Sequence, residues 1–346
     1  MAIIAPDVGI DLGTCNTRIY VKHKGAVLDE PTLIVTSGSK NRLLAVGEEA
    51  RLLMGRTTED VNDIHPLLDG KINDFEMTQE YLLYMMKKAI GVSRLVKPRM
   101  LVSSPCRMTA IEKRVLRQAA LYAGARQAAL TLIEKPFAAA FGCGLPVFEP
   151  TGSMVVDIGG GMTEAAVISL GGIVISRSVK VGGDRMNSAV TAYIKKEFNM
   201  LIGSRTAENI KIDLGAALPL KDERRIVIRG RDMITNLPQT AEVSSSGIYE
   251  ALHPSCEAIL AAIRFVLERT PPELAGDVLK GGIHLTGGGS QLFGLDQYIA
   301  SELNIPVLLA KDPASCTLQG LGNLVEQMEL LPRLSLSSAL RDEGEG

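Results

Sequence analysis

Residues 8–21 read VGIDLGTCNTRIYV, and residues 154–167 read MVVDIGGGMTEAAV. Each is an apolar run, an Asp, an apolar residue, a Gly, three residues, a Thr, one further residue and a second apolar run. Each predicts a β-hairpin, with a strand carrying the Asp, a glycine turn and a returning strand. The two copies lie about half a chain apart, so the spacing predicts two halves built on one plan. The pattern has a definite chemistry. Gly13 and Gly159, Gly160 and Gly161 let the backbone approach a ligand and present its N–H groups, which makes an anion-binding concavity. Asp11 and Asp157, on the adjoining strands, are placed to hold a Mg²⁺ through water, because Mg²⁺ keeps most of its hydration shell. Two such loops facing each other would clamp a polyphosphate from both sides.

The segments between and after the copies read as alternating strands and helices. Strands are predicted over 100–103 and 129–133. Helices are predicted over 77–89, after a capping box at Thr109 and Glu112, and from Glu134-Lys135-Pro136. The helix behind the capping box has Ile111, Val115, Ala119 and Tyr122 on one face and stops at Gly124. In the second half, helices are predicted over 184–199, 204–214 and 254–268. Strands are predicted over 223–231 and 242–244, in an inserted subdomain. A short strand over 283–286 runs into Gly287, Gly288, Gly289 and Ser290 and then a helix from Gln291. A glycine turn between strand and helix is a third phosphate contact by the same N–H logic. The class is α/β.

Composition narrows the function. A chain of 346 residues suggests about two domains. Lys and Arg total 37 against 39 Asp and Glu, a net charge of −2, without the basic excess that nucleic-acid binding needs. Aromatic residues are 4% and Trp is absent, so base-stacking platforms are not expected. The five cysteines include no C-x-x-C pair, and the four histidines have no metal spacing, which points to a reducing cytosol and no zinc site. The start, MAIIAP, lacks a cationic region ahead of an apolar one, and the longest apolar stretch, 136–148, falls short of the roughly 20 residues of a membrane span. The expectation is a soluble chain, at most peripheral to a membrane.

The stretches GIDLGTCNT, LAVGEEA, IHPLLDGKINDFEMT, GCGLPVFEPTGSMVVDIGGG, TEAAVISLGGIVISRSVKVGGD, LIGSRTAENIKI and LTGGGSQL resemble the actin superfamily and, within it, the bacterial MreB actin homologues. The resemblance implies an actin-like α/β fold of two RNase H-like domains, each with a smaller inserted subdomain, around a central nucleotide cleft. It implies a first domain over 1–150 with its insertion at about 32–75, a second over 151–330 with its insertion at about 187–249, and a mobile acidic tail over 331–346. It implies ATP and Mg²⁺ as ligands, self-assembly into antiparallel paired filaments, and work with cell-wall synthesis or morphogenesis proteins beneath the inner membrane. Residue by residue, Asp11, Gly13, Thr14, Cys15 and Asn16 would form the first phosphate loop, and Asp157, Gly159, Gly160, Gly161 and Met162 the second. Asp11 and Asp157 would be the catalytic and, through water, metal-holding carboxylates. Gly182, Gly183 and Asp184 would lie near the ribose. Glu208, Asn209, Ile210 and Lys211 would flank the adenosine. Gly287, Gly288, Gly289, Ser290 and Gln291 would hold the α-phosphate side.

Two positions depart from the family pattern. Lys135 stands where relatives carry Glu before the Pro, and Met162 stands where they carry Thr after the three glycines. In relatives that pair positions the water that attacks the γ-phosphate. A Lys ammonium cannot accept a water proton and Met has no hydroxyl, so hydrolysis is expected to be slow or lost. Neither neighbour is an easy substitute, since Glu134 and Thr163 would point elsewhere. Lys135 retains the capacity to attract a γ-phosphate as a point charge. Membrane contact is expected from Ile3 and Ile4, and from Leu95 and Val96 in a loop flanked by cations. Two other functions share this reading of the residues: a phosphotransferase of the same superfold, for which no sugar-binding cluster is evident, and a non-polymerising scaffold or capping subunit of a related filament.

Overall fold

The structure is a computed structural model and describes residues 6–38, 42–54, 61–91 and 97–334. In the first half of the chain the strands are β1 (Val8–Leu12), β2 (Asn16–Val21), β3 (Gly25–Pro31), β4 (Ile34–Ser37), β5 (Arg42–Val46), β6 (Val61–Ile64), β7 (Leu67–Leu68), β8 (Lys71–Ile72), β9 (Met100–Ser104) and β10 (Leu130–Glu134). The helices there are α1 (Glu48–Leu53), α2 (Phe75–Ile90), α3 (Ala110–Tyr122) and α4 (Lys135–Gly142). The second half carries β11 (Ser153–Ile158), β12 (Thr163–Ser169), β13 (Gly172–Val179), β14 (Met200–Leu201), β15 (Arg225–Asp232), β16 (Pro238–Ser244), β17 (Ile283–Thr286) and β18 (Val307–Leu309). Its helices are α5 (Gly183–Phe198), α6 (Ser204–Leu214), α7 (Ser245–Arg269), α8 (Pro272–Gly281), α9 (Leu295–Leu303) and α10 (Cys316–Glu326).

The repeat seen in the sequence is a repeat of topology. The main sheets run β10-β9-β1-β2-β3 and β18-β17-β11-β12-β13. In both, an Asp-bearing strand pairs antiparallel with the next strand and parallel with a later one. β1 and β11 are central and covered on both faces, and so are apolar apart from the Asp of each and Ser153, with every residue buried. β2 has a neighbour on each side but one face only half covered, and alternates accordingly.

The helices sit where their termini and apolar stripes place them. In α2, the Asp74 carboxylate accepts from the Met77 N–H at 3.0 Å, and Tyr81, Leu82, Met85 and Met86 form the buried face. The capping box at α3 is present, with Thr109 and Glu112 each accepting from the other's backbone N–H. Its buried stripe is Leu116, Ala119 and Ala120; Ile111 and Tyr122 are exposed, contrary to the sequence reading. Tyr122 instead donates to Glu80 on the surface of α2 at 2.7 Å.

Three other expectations need correction. The helix predicted over 254–268 begins much earlier, because Ser244 caps it at Gly247; Pro254 is carried inside, at the loss of one helical hydrogen bond. Residues 242–244 belong to the longer β16, an edge strand that tolerates Pro238 at its start. No α-helix starts at Gln291. Gly288–Gln291 is a 3₁₀ turn, and α9 starts only after Gly294, at φ 73°.

Two helices exchange sides. α4 follows β10 of the first sheet but packs on β11 and β12 of the second, whereas α10 follows β18 of the second but packs on β1, β2 and β9 of the first. They cross each other between the sheets. Phe137, Ala138, Ala139 and Ala140 of α4, Leu321 and Leu324 of α10, Leu101, Val155 and Ala166 share one core there, apart from the core of each half. The exchange places the N-terminus of α4, and with it Lys135, between the two Asp-bearing hairpins. Smaller sheets, β5-β4-β6 and β14-β15-β16, stand on the two halves.

Candidate functional site

The two hairpin turns close in the same way. The Gly13 N–H donates to the Asn16 carbonyl at 3.1 Å, and the Gly159 N–H donates to the Met162 carbonyl at 2.9 Å. They face each other across a cleft with little room to spare. A Cβ on Gly161 would stand 2.7 Å from Thr14 Oγ1, and one on Gly160 would collide with Cys15 Sγ. Behind the second turn, the Gly183 and Asp184 N–H groups at the start of α5 donate to the carbonyls of Gly159 and Gly160 at 3.0 and 2.9 Å. Gly182 supports this contact from outside the cavity, since any Cβ on it would strike those same two carbonyls.

Asp11 and Asp157 are buried at the cleft floor. Each is braced by a hydroxyl from the equivalent parallel strand, Ser103 Oγ to Asp11 Oδ1 and Thr286 Oγ1 to Asp157 Oδ1, both at 2.9 Å. Sequence reasoning missed this pair, because the partners are distant in sequence and meet only through strand pairing. The hairpins differ at the residue opposite each Asp. Arg18 pairs across from Asp11 and Glu164 across from Asp157, on the same face of each sheet. Arg18 also ties the halves together, with Nη1 donating to the Ala314 carbonyl at 2.6 Å and standing 4.0 Å from Asp11 Oδ2.

Lys135 reaches into this group, with Nζ 3.1 Å from Asp11 Oδ1. Burial by itself would lower its pKa, but the attraction of Asp11 and then Asp157 outweighs it and holds the pKa above the ordinary lysine value. Burial raises Asp157, with Lys135 and the Thr286 hydroxyl pulling it back.

Glu164 was not singled out from the sequence. It lines the cavity, with Oε1 accepting from the Cys106 N–H at 2.7 Å and the Ser178 hydroxyl at 3.0 Å, while Oε2 is buried without a hydrogen bond. Burial pushes it up to about 7, with the Cys106 N–H opposing and Asp157 adding to the rise. The folded value lies above the ordinary 4.5. The stabilisation from its bound proton is therefore complete below about pH 4.5 and lost as the pH rises through about 7. Glu164→Gln is expected to remove that loss, on the order of 2–3 kcal/mol between pH 5 and 8. Denaturant midpoints of both proteins at the two pH values check this; parallel pH profiles would rule it out.

The cavity has a volume of about 700 Å³ and is lined by Asp11, Gly13, Thr14, Cys15, Asn16, Lys135, Asp157, Gly159, Gly160, Gly161, Met162, Gly183, Asp184, Glu208, Lys211, Gly287, Gly288, Gly289 and Gln291, all named from the sequence. Gly182, Asn209, Ile210 and Ser290 do not line it. Asn209 is exposed and Ile210 points into the core of the second half. Ser290 is buried, its hydroxyl bracing the third turn by donation to the Gly287 carbonyl at 2.7 Å. Gly287 itself needs its φ of 80°, and any Cβ on it would strike the Ile158 carbonyl. Lys211 pairs with Glu208 at 2.8 Å. An apolar wall of Ile212, Leu214, Leu292 and Phe293, not foreseen, completes the side away from the aspartates. Cys15 opens on the cleft, but the surrounding protein and then the Asp184 carboxylate hold its thiol up to about 12, so it is a neutral small side chain. Thr163 cannot stand in for Met162: it is buried and donates to the Val181 carbonyl at 2.6 Å. Glu134 ends β10 outside the cavity lining. Ile3, Ile4, Leu95 and Val96 lie outside the described residues.

Comparison with known proteins settles the lineage. The family model described as MreB/Mbl protein matches residues 5–333. The chain is 45% identical over 335 residues to the cell shape-determining protein Mbl of Bacillus subtilis (strain 168), covering 97% of this chain and all of that one. The chain belongs to the MreB/Mbl family. It is also 44% identical over 329 residues to the cell shape-determining protein MreB of Escherichia coli (strain K12), covering 94% of each. Among solved structures, MreB5 of Spiroplasma citri bound to AMPPNP superposes with a TM-score of 0.88 at 34% identity, covering 94% of this chain and 97% of that one. A MamK double helical filament superposes at 0.77 and 21% identity, covering 93% and 98%, which bears on the fold alone. The fold is actin-like.

In this MreB/Mbl chain the cavity suits a nucleoside polyphosphate: three glycine turns meet an apolar wall, and Lys135 and Lys211 supply positive charge. A protein-held Mg²⁺ fits less well. Asp11 and Asp157 are suitable hard oxygen donors, but Asp11 Oδ1 already has both the Lys135 ammonium and the Ser103 hydroxyl on it. Among the described residues no three His, Cys, Asp or Glu side chains converge as a metal cluster.

Proposed function

We propose that the chain is an ATP-binding, actin-like filament subunit that contributes to cell shape and cell-wall morphogenesis and hydrolyses ATP slowly or not at all. The observation that carries this reading is the cleft between the two Asp-Gly hairpins, with Lys135 and Met162 at its reacting end. Nucleotide binding draws support from the glycine turns and from a 34%-identical relative that holds AMPPNP in one structure and ADP in another. Phosphoryl transfer to water is a matter of positioning the nucleophile and neutralising charge. Lys135 offers charge but no proton acceptor, and Met162 presents a thioether. Met162 also fills the space beside Gly70, where any Cβ would meet its Sδ.

Self-assembly fits the exposed apolar side chains of the small sheets. Leu43 and Leu44 on β5 stand out with Leu52 on the adjoining α1, and Val227 on β15 with Ile234 and Leu237 in the turn that follows it. Ile234 is 80% exposed at the turn between β15 and β16, and so contributes nothing to the fold's own core. Ile234→Asp is expected to cut the pelleted fraction several-fold while leaving nucleotide affinity within about twofold, since surface changes of this kind alter stability little. Sedimentation with and without nucleotide measures it; unchanged pelleting would exclude this turn from the interface. Residence at the inner face of the membrane belongs to the same proposal. No helix among the described residues is long and apolar enough to cross a membrane.

The test is phosphate release and pelleting measured on one sample with ATP. Filaments with little released phosphate support the reading. Brisk release overturns the slow-hydrolysis part. Nucleotide binding without pelleting, combined with co-pelleting on a related filament, favours the capping-subunit function instead.

A further inference from the structure

The side chain of Lys135 is 14% exposed, and its ammonium lies on Asp11 in the space between the two Asp-bearing hairpins. A Cβ built on Gly13, in the first phosphate turn, would stand 3.7 Å from the same nitrogen. The ammonium is thus beside both a carboxylate of the cleft floor and the backbone that would face a β- or γ-phosphate. Among the described residues Arg18 is the only other cation paired with Asp11, at 4.0 Å, and its guanidinium is engaged by the Ala314 carbonyl and by Asp29. An ammonium carries three N–H donors and no acceptor. With one directed to Asp11, two remain for phosphate oxygens. A divalent ion in such a cleft would do the same. It would stand between the aspartates and the polyphosphate and cancel their mutual repulsion.

We propose that Lys135 is a tethered cation that takes over this charge neutralisation, so that the chain binds ADP and ATP with little or no dependence on Mg²⁺. The inference rests on the nucleotide reading above and adds to it the source of the charge. Several features of the site follow. Asp11 already has its counter-charge before any ligand arrives. Thr286 and Ser103 each donate to one carboxylate and hold the two carboxylates in place. The tether also fixes the distance of the charge from the phosphate turn, where a free ion would exchange with solvent.

The experiment is equilibrium titration of the full chain with ADP and with AMPPNP, once with Mg²⁺ and once with EDTA in excess, read calorimetrically. Lys135→Glu and Lys135→Met are titrated in parallel, with circular dichroism to verify folding. For the unaltered chain the Kd is expected to change less than about threefold on chelation. In Lys135→Glu the carboxylate restores the need for a metal, and chelation is expected to weaken binding by about tenfold or more. Lys135→Met, with no charge, is expected to lose affinity in EDTA and recover part of it with Mg²⁺. Loss of tenfold or more affinity by the unaltered chain in EDTA overturns the inference and leaves the nucleotide reading intact, and does so even where neither variant folds. Absence of binding in both media overturns the nucleotide reading, and this inference with it.

Discussion

Restoring the pair, by Lys135→Glu together with Met162→Thr, is expected to raise phosphate release from ATP by roughly 10²-fold, the usual worth of a positioned general base. The carboxylate would enter beside Asp11, at the place the ammonium now holds, where it can accept a proton from water. The threonine would exchange a thioether for a hydroxyl at the end of the second phosphate turn and vacate the space against Gly70. Each single change should yield far less than the double, because groups that act together on one water do not contribute additively. The double variant gathers three carboxylates around the cleft floor, with Glu164 nearby, so its turnover should stop when Mg²⁺ is chelated. Phosphate release at saturating ATP, on protein shown to be folded and to bind nucleotide, decides the matter. A folded, nucleotide-bound double variant no faster than the parent would show that the barrier lies elsewhere in the cleft.

The second large effect concerns the crossing of α4 and α10. A Cβ on Gly320 would fall within the carbonyl oxygen of Ala138 and 3.0 Å from the backbone nitrogen of Gly142, and one on Gly142 would meet the Cys316 carbonyl and the Gly320 nitrogen. The obstacles are backbone atoms in helices packed into a core shared by both halves, so no side chain can move aside. Gly320→Ala is therefore expected to cost about 3 kcal/mol or more, the upper end for overpacking, and to lower the thermal midpoint by several degrees or prevent soluble expression. Gly276→Ala is the control. It lies within α8 with nothing within 4 Å of its Cβ position, and should be neutral or stabilising by up to about 1 kcal/mol. The local strain has a functional reach. α4 begins at Lys135, so parting the helices draws the ammonium away from Asp11, and nucleotide affinity should fall along with stability. Equal midpoints for the two alanine variants would mean that the crossing is looser than its geometry implies.

Much of this protein was legible without coordinates. The two Asp-Gly hairpins, the third glycine turn and the capping box at Thr109 all depend on local rules, while Lys135 and Met162 stand out only against the pattern of the family the sequence resembles. Which residue accepts φ near 80°, which side chain reaches its own helix terminus and which carries a proton acceptor are properties of short stretches of chain. What failed were cases where distant packing overrides local pattern. The face that α3 buries, Pro254 inside α7 and Ser290 turned away from the cavity are each set by what lies against them.

The sequence by itself determined that the chain is a duplicated α/β structure with an Asp-Gly hairpin turn in each half, and its resemblance to known stretches gave the actin kind and the departures at Lys135 and Met162. Only the tertiary structure decided that α4 and α10 exchange halves, that Ser103 and Thr286 brace the two aspartates alike, and that Glu164 is buried beside Asp157. The same holds for the ammonium of Lys135 resting on Asp11. Apart from Glu164 and Asp157, which face each other across one hairpin, these are relations between residues tens to hundreds of positions apart. They arise from strand pairing and from the close approach of helix backbones, which no local pattern of residues encodes.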